Sequence, residues 1–310
     1  AGPVWPEVTG QATYNSGGAR GAPHPRQRNA LAAGWASTGD DIRISDAHAA
    51  TEASSVTYTF PGTAASPNRC YCVNDTDTAL ATTATEANTG LTDYVVNGFA
   101  WLFGIAITFS SSGNRSMSVA ASSTPAYIIF DSCKIRAGSS GLTAINVCQT
   151  AQSGADDNGV EFVNTSVRFL STGSFIYVNG PFTWRNSTAI EPGGTVPTTL
   201  FGASGGGASD AELTGVDLSA LGSGNNLMSV AHTRPTYFRL RDCKLGSSMA
   251  ITIGSIVGPR GTVVDLINCD SADTNYRFYR QDYAATEQQE TTIVRTGGAS
   301  DGTTPFSRKV

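Results

Sequence analysis

Along most of this chain apolar and polar residues alternate with a period of two, in short runs broken by Gly, Ser, Asn, Asp or Pro. Runs of that period predict half-buried β-strands, because successive side chains of a strand face opposite ways. No long stretch places Leu, Glu, Lys or Arg at the 3.6-residue spacing of an amphipathic helix. The pattern predicts a β-rich chain with many turns.

From about residue 99 one unit keeps returning: an alternating strand, then Asn, Asp or Gly, then a small or apolar residue, then an apolar position two further on. It recurs at 101–107, 129–135, 162–169, 182–187, 213–218, 238–245 and 264–269. Taking Ile105, Cys133, Ser166, Ser187, Val216, Cys243 and Cys269 as anchors gives spacings of 28, 33, 21, 29, 27 and 26. Helical repeats keep a tighter period and a helical pattern. A recurring strand at irregular spacing is what a solenoid permits, because loops of any length can leave a rung at its corners.

A second strand is predicted after each of the later anchors, at 142–147, 175–178, 199–201, 227–230, 249–253 and 276–279, beyond a corner rich in Gly or Ser. Two strands and two corners would make one rung. The fold expected is therefore all-β, a right-handed parallel β-helix over residues 99–283. In that frame Cys133, Ser166, Ser187, Cys243 and Cys269 form an interior ladder of small residues, a structural role. Each is preceded within two residues by an Asn, Asp or Ser able to bend the chain and hydrogen-bond locally. Seven rungs would make a rod of roughly 30–35 Å.

Residues 41–98 read as a small β cap or as the first rungs, with strands at 42–44, 56–60 and 69–73. Residues 1–40 carry prolines and glycines with little apolar pattern, and are expected to be an extended N-terminal arm. Residues 284–310 read as a polar linker with one strand, expected to lead into a further domain beyond Val310.

Charge sharpens this division. Only 15% of residues are charged, and the net charge of −5 argues against general nucleic-acid binding. Residues 1–35 hold Arg20, Arg26 and Arg28 against Glu7, whereas residues 40–100 hold eight acids against Arg43 and Arg69. A basic arm on an acidic body is expected to dock elsewhere, through Trp5, Arg20, His24, Arg26 and Arg28. No apolar run reaches transmembrane length and no membrane partner is expected.

Candidate chemistry is sparse. The six cysteines (Cys70, Cys72, Cys133, Cys148, Cys243, Cys269) lack zinc-site spacing and read as reduced and buried. The three histidines, His24, His48 and His232, are far apart in sequence, and neither a metal nor another cofactor is expected. A glycan-cleaving β-helix would need two carboxylates set apart on an exposed face. The acid sets are Asp40/Asp41, Asp156/Asp157, Asp210/Glu212/Asp217 and Asp265/Asp270/Asp273, and none recurs at matching positions of adjacent expected rungs. No catalytic residue is assigned.

The segments 41–48, 57–63 and 67–73 resemble the N-terminal portion of β-helical bacteriophage virion proteins. The later rungs and the stretch 293–304 are similar to the same group. The resemblance covers most of the chain after the arm, and its motifs are structural. It implies a virion component on the surface of a phage particle, made in the host cytoplasm, a homotrimer without enzymatic activity. The part implied is a head decoration (cement) protein whose arm binds the major capsid protein or another virion protein. A tail spike or fibre that binds host polysaccharide is the alternative.

Overall fold

A computed structural model describes residues 36–280 and 291–296, apart from 53–54, 75–77, 89–92, 110–115, 121–124, 149–158, 206–208, 223, 233–235, 247–249, 254–261 and 272–276. Every pairing between its named strands is parallel, and the strands stack as a right-handed parallel β-helix with three faces. Sheet 1 stacks Asp41–Ser45, Asn68–Val73, the second half of Tyr94–Phe103, Tyr127–Asp131, Gly159–Val163, Pro181–Arg185, Ser209–Thr214, Thr236–Arg241, Thr262–Ile267 and Thr291–Thr296. Sheet 2 stacks Ala49–Glu52, Ala84–Asn88, Ile105–Phe109, Lys134–Ala137 and Ser166–Arg168. Isolated bridges and the pairing of Lys244–Leu245 with Asp270–Ser271 carry that side further. Sheet 3 runs from Val56–Phe60 through the first half of Tyr94–Phe103, Ser116–Val119, Ala144–Val147 and Phe175–Val178. It continues through Thr199–Gly205, Asn226–His232, Ala250–Ile253 and Arg277–Arg280.

The rung thus has three sides where the sequence pattern suggested two. The strands expected beyond each corner are those of sheet 3. The sheet 2 strands escape a reading based on Gly and Pro because they start almost immediately after sheet 1 ends. Ser132, Asn164, Asn186, Asp242 and Asn268 have φ of 53, 49, 51, 53 and 51°, and Gly104 and Gly215 take φ of 73 and 64° at the same corner. A single left-handed residue turns the chain there. Asn, Asp and Gly tolerate that region best, which is why they recur before the anchors. The corner does not interrupt the ladder: the amides of Ser132, Asn164, Asn186 and Asp242 donate to Val163, Arg185, Thr214 and Ile267 oxygens at 2.9, 3.0, 2.9 and 2.9 Å.

The solenoid also starts earlier than residue 99. Asp41–Ser45 pairs in register with Asn68–Val73, which pairs with Tyr94–Phe103, so the strands of residues 41–98 are rungs and not a separate cap. Two sheet 1 strands precede the first expected rung and Thr291–Thr296 follows the last.

One anchor needs correction. Lys134 lies opposite Ser166, so Cys133 is matched by Thr165. Thr165 is fully buried, whereas Ser166 faces outward and is half-buried. Ser187 is also half-buried and donates to the Thr165 carbonyl. Cys133, Cys243 and Cys269 lie inside, at 1, 1 and 3% exposure. Their role exceeds steric fit. Cys133 Sγ, Thr165 Oγ1, Cys243 Sγ and Cys269 Sγ reach the carbonyls of Leu102, Phe130, Leu213 and Leu240, each one rung earlier, at 3.5, 2.9, 3.5 and 3.4 Å. A buried carbonyl without a partner is costly, and the anchor side chain supplies one.

The interior is apolar and stacks rung on rung. Phe162 meets Phe130, Phe182 and Trp184 edge-on at centroid distances of 5.5, 5.1 and 5.5 Å. Such edge-to-face contacts add to the burial of large rings. Trp184 Nε1 donates to the Thr165 carbonyl at 2.8 Å, which ties the aromatic stack to the corner ladder.

Candidate interaction face

In each sheet 1 strand the residues between the buried ones point outward, and parallel register lines them up in columns. The middle column reads Asp41, Arg69, Trp101, Ile129, Glu161, Thr183, Glu212, Arg239 and Asp265. Beside it run Tyr127, Gly159, then Pro181, Asp210, Tyr237 and Val263. Trp101, Tyr127 and Tyr237 are among the large side chains left open to solvent, at 36, 37 and 49%. Tyr71 sits edge-on to Trp101 at 6.0 Å. The ring of Tyr127 lies over Gly159, where a Cβ would come within 2.7 Å of it, so the glycine makes room for that ring.

The charges on this face are paired across rungs. Arg69 Nε approaches Asp41 Oδ1 at 2.6 Å, and Arg185 Nε approaches Glu161 Oε1 at 3.2 Å. Tyr127 OH donates to Glu161 Oε2 at 3.4 Å. Partial burial and then the neighbouring Glu161 carboxylate raise the Tyr127 pKa, which keeps that hydroxyl a donor. Arg239 lies between Glu212 at 3.9 Å and Asp265 at 3.6 Å, one rung on either side. On the neighbouring face Asp217 meets Lys244 at 3.4 Å, and Lys244 is in register with Asp270. Acid, base, acid therefore repeats on two sides of the same three rungs.

Asp210, Glu212, Tyr237, Phe238, Arg239 and Asp265 line a shallow hollow of about 250 Å³. Asp210 has an open edge, yet desolvation of its carboxyl lifts the pKa above the ordinary value, with Arg239 opposing and Glu212 adding to the rise. The acids gather here across two rungs, with Arg239 in the rung between. Glu212 and Asp265 share a column two rungs apart, and Asp210 stands next to Glu212 on the same strand. Asp217 and Asp270 belong instead to the sheet 2 side, and Asp273 lies outside the described residues. Sequence distance hid the cluster, because Glu212 and Asp265 meet only through the rung register.

A second polar cluster is internal. Glu86 points into the solenoid at 1% exposure, accepting from Tyr58 OH at 2.8 Å and lying 2.9 Å from His48 Nε2. Burial raises the Tyr58 and Tyr94 pKa values well above ordinary, so both remain hydroxyl donors. The carboxylate partner of His48 comes from the next rung.

The arm residues Trp5, Arg20, His24, Arg26 and Arg28, and the pair Asp156/Asp157, lie outside the described residues. Asp40 accepts from the Ser37 amide at 2.7 Å and Asp41 is tied to Arg69, so that acid pair is engaged locally. None of the six cysteines is joined in a disulfide, and all are buried. Among the described residues no group of three or more His, Cys, Asp or Glu is placed to hold a metal ion. Among the described residues no helix is long and apolar enough to cross a membrane. No protein-family model, curated protein or solved structure matches the chain.

Proposed function

We propose that this chain is a structural component of a bacteriophage particle, a head decoration protein held to the shell by its arm, with the β-helix as the displayed body. The observation that carries the reading is the cross-rung pairing of the outward charges, Glu161 with Arg185 and Glu212 with Arg239 and Asp265. Carboxylates paired with guanidinium groups of the next rung favour the register that the backbone ladder sets, and a self-registered rod suits a particle surface. The likeness of segments 41–48, 57–63 and 67–73 to β-helical virion proteins supports the same reading. The net basic arm, with Arg20, Arg26 and Arg28, is the segment that would meet the major capsid protein. Deleting residues 1–35 is expected to abolish attachment to purified capsids; binding at full occupancy would refute the tether.

A second reading has its own support. The hollow lined by Asp210, Glu212, Tyr237, Arg239 and Asp265 offers an exposed ring beside hydrogen-bonding charges, the combination that recognises sugar rings and their hydroxyls. On that reading the chain is a tail spike or fibre binding host polysaccharide along sheet 1. Incubation with host surface glycan separates the two: retention of the glycan, weakened by Tyr237→Ala, favours the spike, and new reducing ends or unsaturated sugars would mean cleavage.

A further inference from the structure

Of the six cysteines, Cys243 and Cys269 alone occupy the same position in adjacent rungs. Arg241 is in register with Ile267, the Asp242 amide donates to the Ile267 carbonyl at 2.9 Å, and the two cysteines follow at equal offsets. Each thiol reaches the carbonyl of the leucine one rung earlier, Leu213 for Cys243 and Leu240 for Cys269. The other four have no such neighbour. Cys133 is flanked by Ile105 and Thr165, Cys148 by Ala120 and Asn179, and Cys70 by Ile42 and Leu102. Cys72 lies between Ile44 and the corner glycine Gly104.

Adjacent parallel strands are about 4.8 Å apart, inside the Cα separation that a disulfide bridges. We propose that Cys243 and Cys269 are an oxidation site that closes into a cross-rung disulfide when the protein leaves a reducing compartment. With glutathione disulfide as oxidant, one thiol loses its proton, attacks a glutathione sulfur and releases one glutathione. The second thiol loses its proton, displaces the other glutathione, and the S–S bond forms. Two protein thiols are oxidised and one glutathione disulfide is reduced to two glutathiones. Both sulfurs are buried, so reaction proceeds through local opening of these rungs. The bond would staple the loop between positions 243 and 269, so that the reduced chain folds without constraint and the oxidised one resists unwinding. This holds whichever partner the outer faces bind.

The test uses the full chain, folded and equilibrated with glutathione disulfide, then denatured in an alkylating reagent and mapped by peptide mass. The expected product is one cross-linked peptide pair containing positions 243 and 269, with the other four cysteines alkylated and Tm raised by roughly 5 °C. Cys269→Ser keeps a ladder donor, and should lose both the cross-link and the Tm gain. Six alkylated cysteines after equilibration, a bond joining any other pair, or an equal Tm gain in Cys269→Ser would each overturn the proposal.

Discussion

The hydroxyl of Thr165 donates to the carbonyl oxygen of Phe130, one rung earlier, across 2.9 Å of buried space. It also lies 3.0 Å from the Val163 carbonyl and accepts from the Cys133 amide at 3.1 Å. One small side chain thus links three main-chain groups around the left-handed corner. Thr165→Val keeps the shape and removes the hydroxyl, leaving buried carbonyl and amide groups without that partner. The expected loss is about 1–3 kcal/mol in denaturant unfolding, with Thr165→Ser recovering most of it. Equal stability of the Val variant would show that the corner does not need the bond.

The corner residue itself makes a separate demand. Asn164 has φ of 49° and an exposed side chain, so a substitution there reads backbone strain with little packing change. Asn164→Val is expected to cost about 1–2 kcal/mol and Asn164→Gly to be near neutral. Thermal melts of the two variants side by side check the difference.

Reversing a ladder charge tests the register. Arg239→Glu would set like charges in three successive rungs, at Glu212, the substituted position and Asp265. The side chains of Arg239 and Glu212 are 45 and 42% exposed, so solvent screens the effect and the loss expected is small, about 1 kcal/mol or less. It should shrink further in about 1 M salt. A loss independent of ionic strength would argue against an electrostatic origin.

Arg136 and Glu191 give a pH signature. Nε and Nη2 of Arg136 contact the two carboxylate oxygens at 2.7 and 2.5 Å. The hydrogen bonds from Arg136 lower the Glu191 pKa from its ordinary 4.5, with burial opposing. A carboxylate whose pKa is lower folded than unfolded contributes stability above the unfolded value, and loses it as pH falls through the folded one. Glu191→Gln should therefore cost roughly 0.5–1.5 kcal/mol at neutral pH, and the gap to the parent chain should close as acid protonates Glu191, at a pH below the ordinary Glu value. A gap that persists in acid would point to packing instead of charge.

Much of this architecture can be read in the residue pattern. The period-two strands, the Asn, Asp and Gly corners and the cysteine anchors are local features, and each reflects a conformation that its own residue favours. At some positions two local patterns are equally good. Asn164, Thr165 and Ser166 offer two hydroxyl residues after one corner, and only the pairing of Lys134 with Ser166 shows that Thr165 turns inward. The first rungs were ambiguous for a similar reason: Asp41–Ser45 and Asn68–Val73 look like strands of a cap or of a solenoid until their parallel partners are known.

The sequence by itself determined the β class, the solenoid, the corner chemistry and the inward cysteines, because those follow from side-chain periodicity and backbone preference within a few residues. Tertiary structure alone decided the third face, the place of Asp41–Ser45 in the stack, the gathering of Asp210, Glu212 and Asp265 around Arg239, and the meeting of His48 with Glu86. These depend on register between rungs, which loops of unequal length conceal along the chain and parallel hydrogen bonding restores in space.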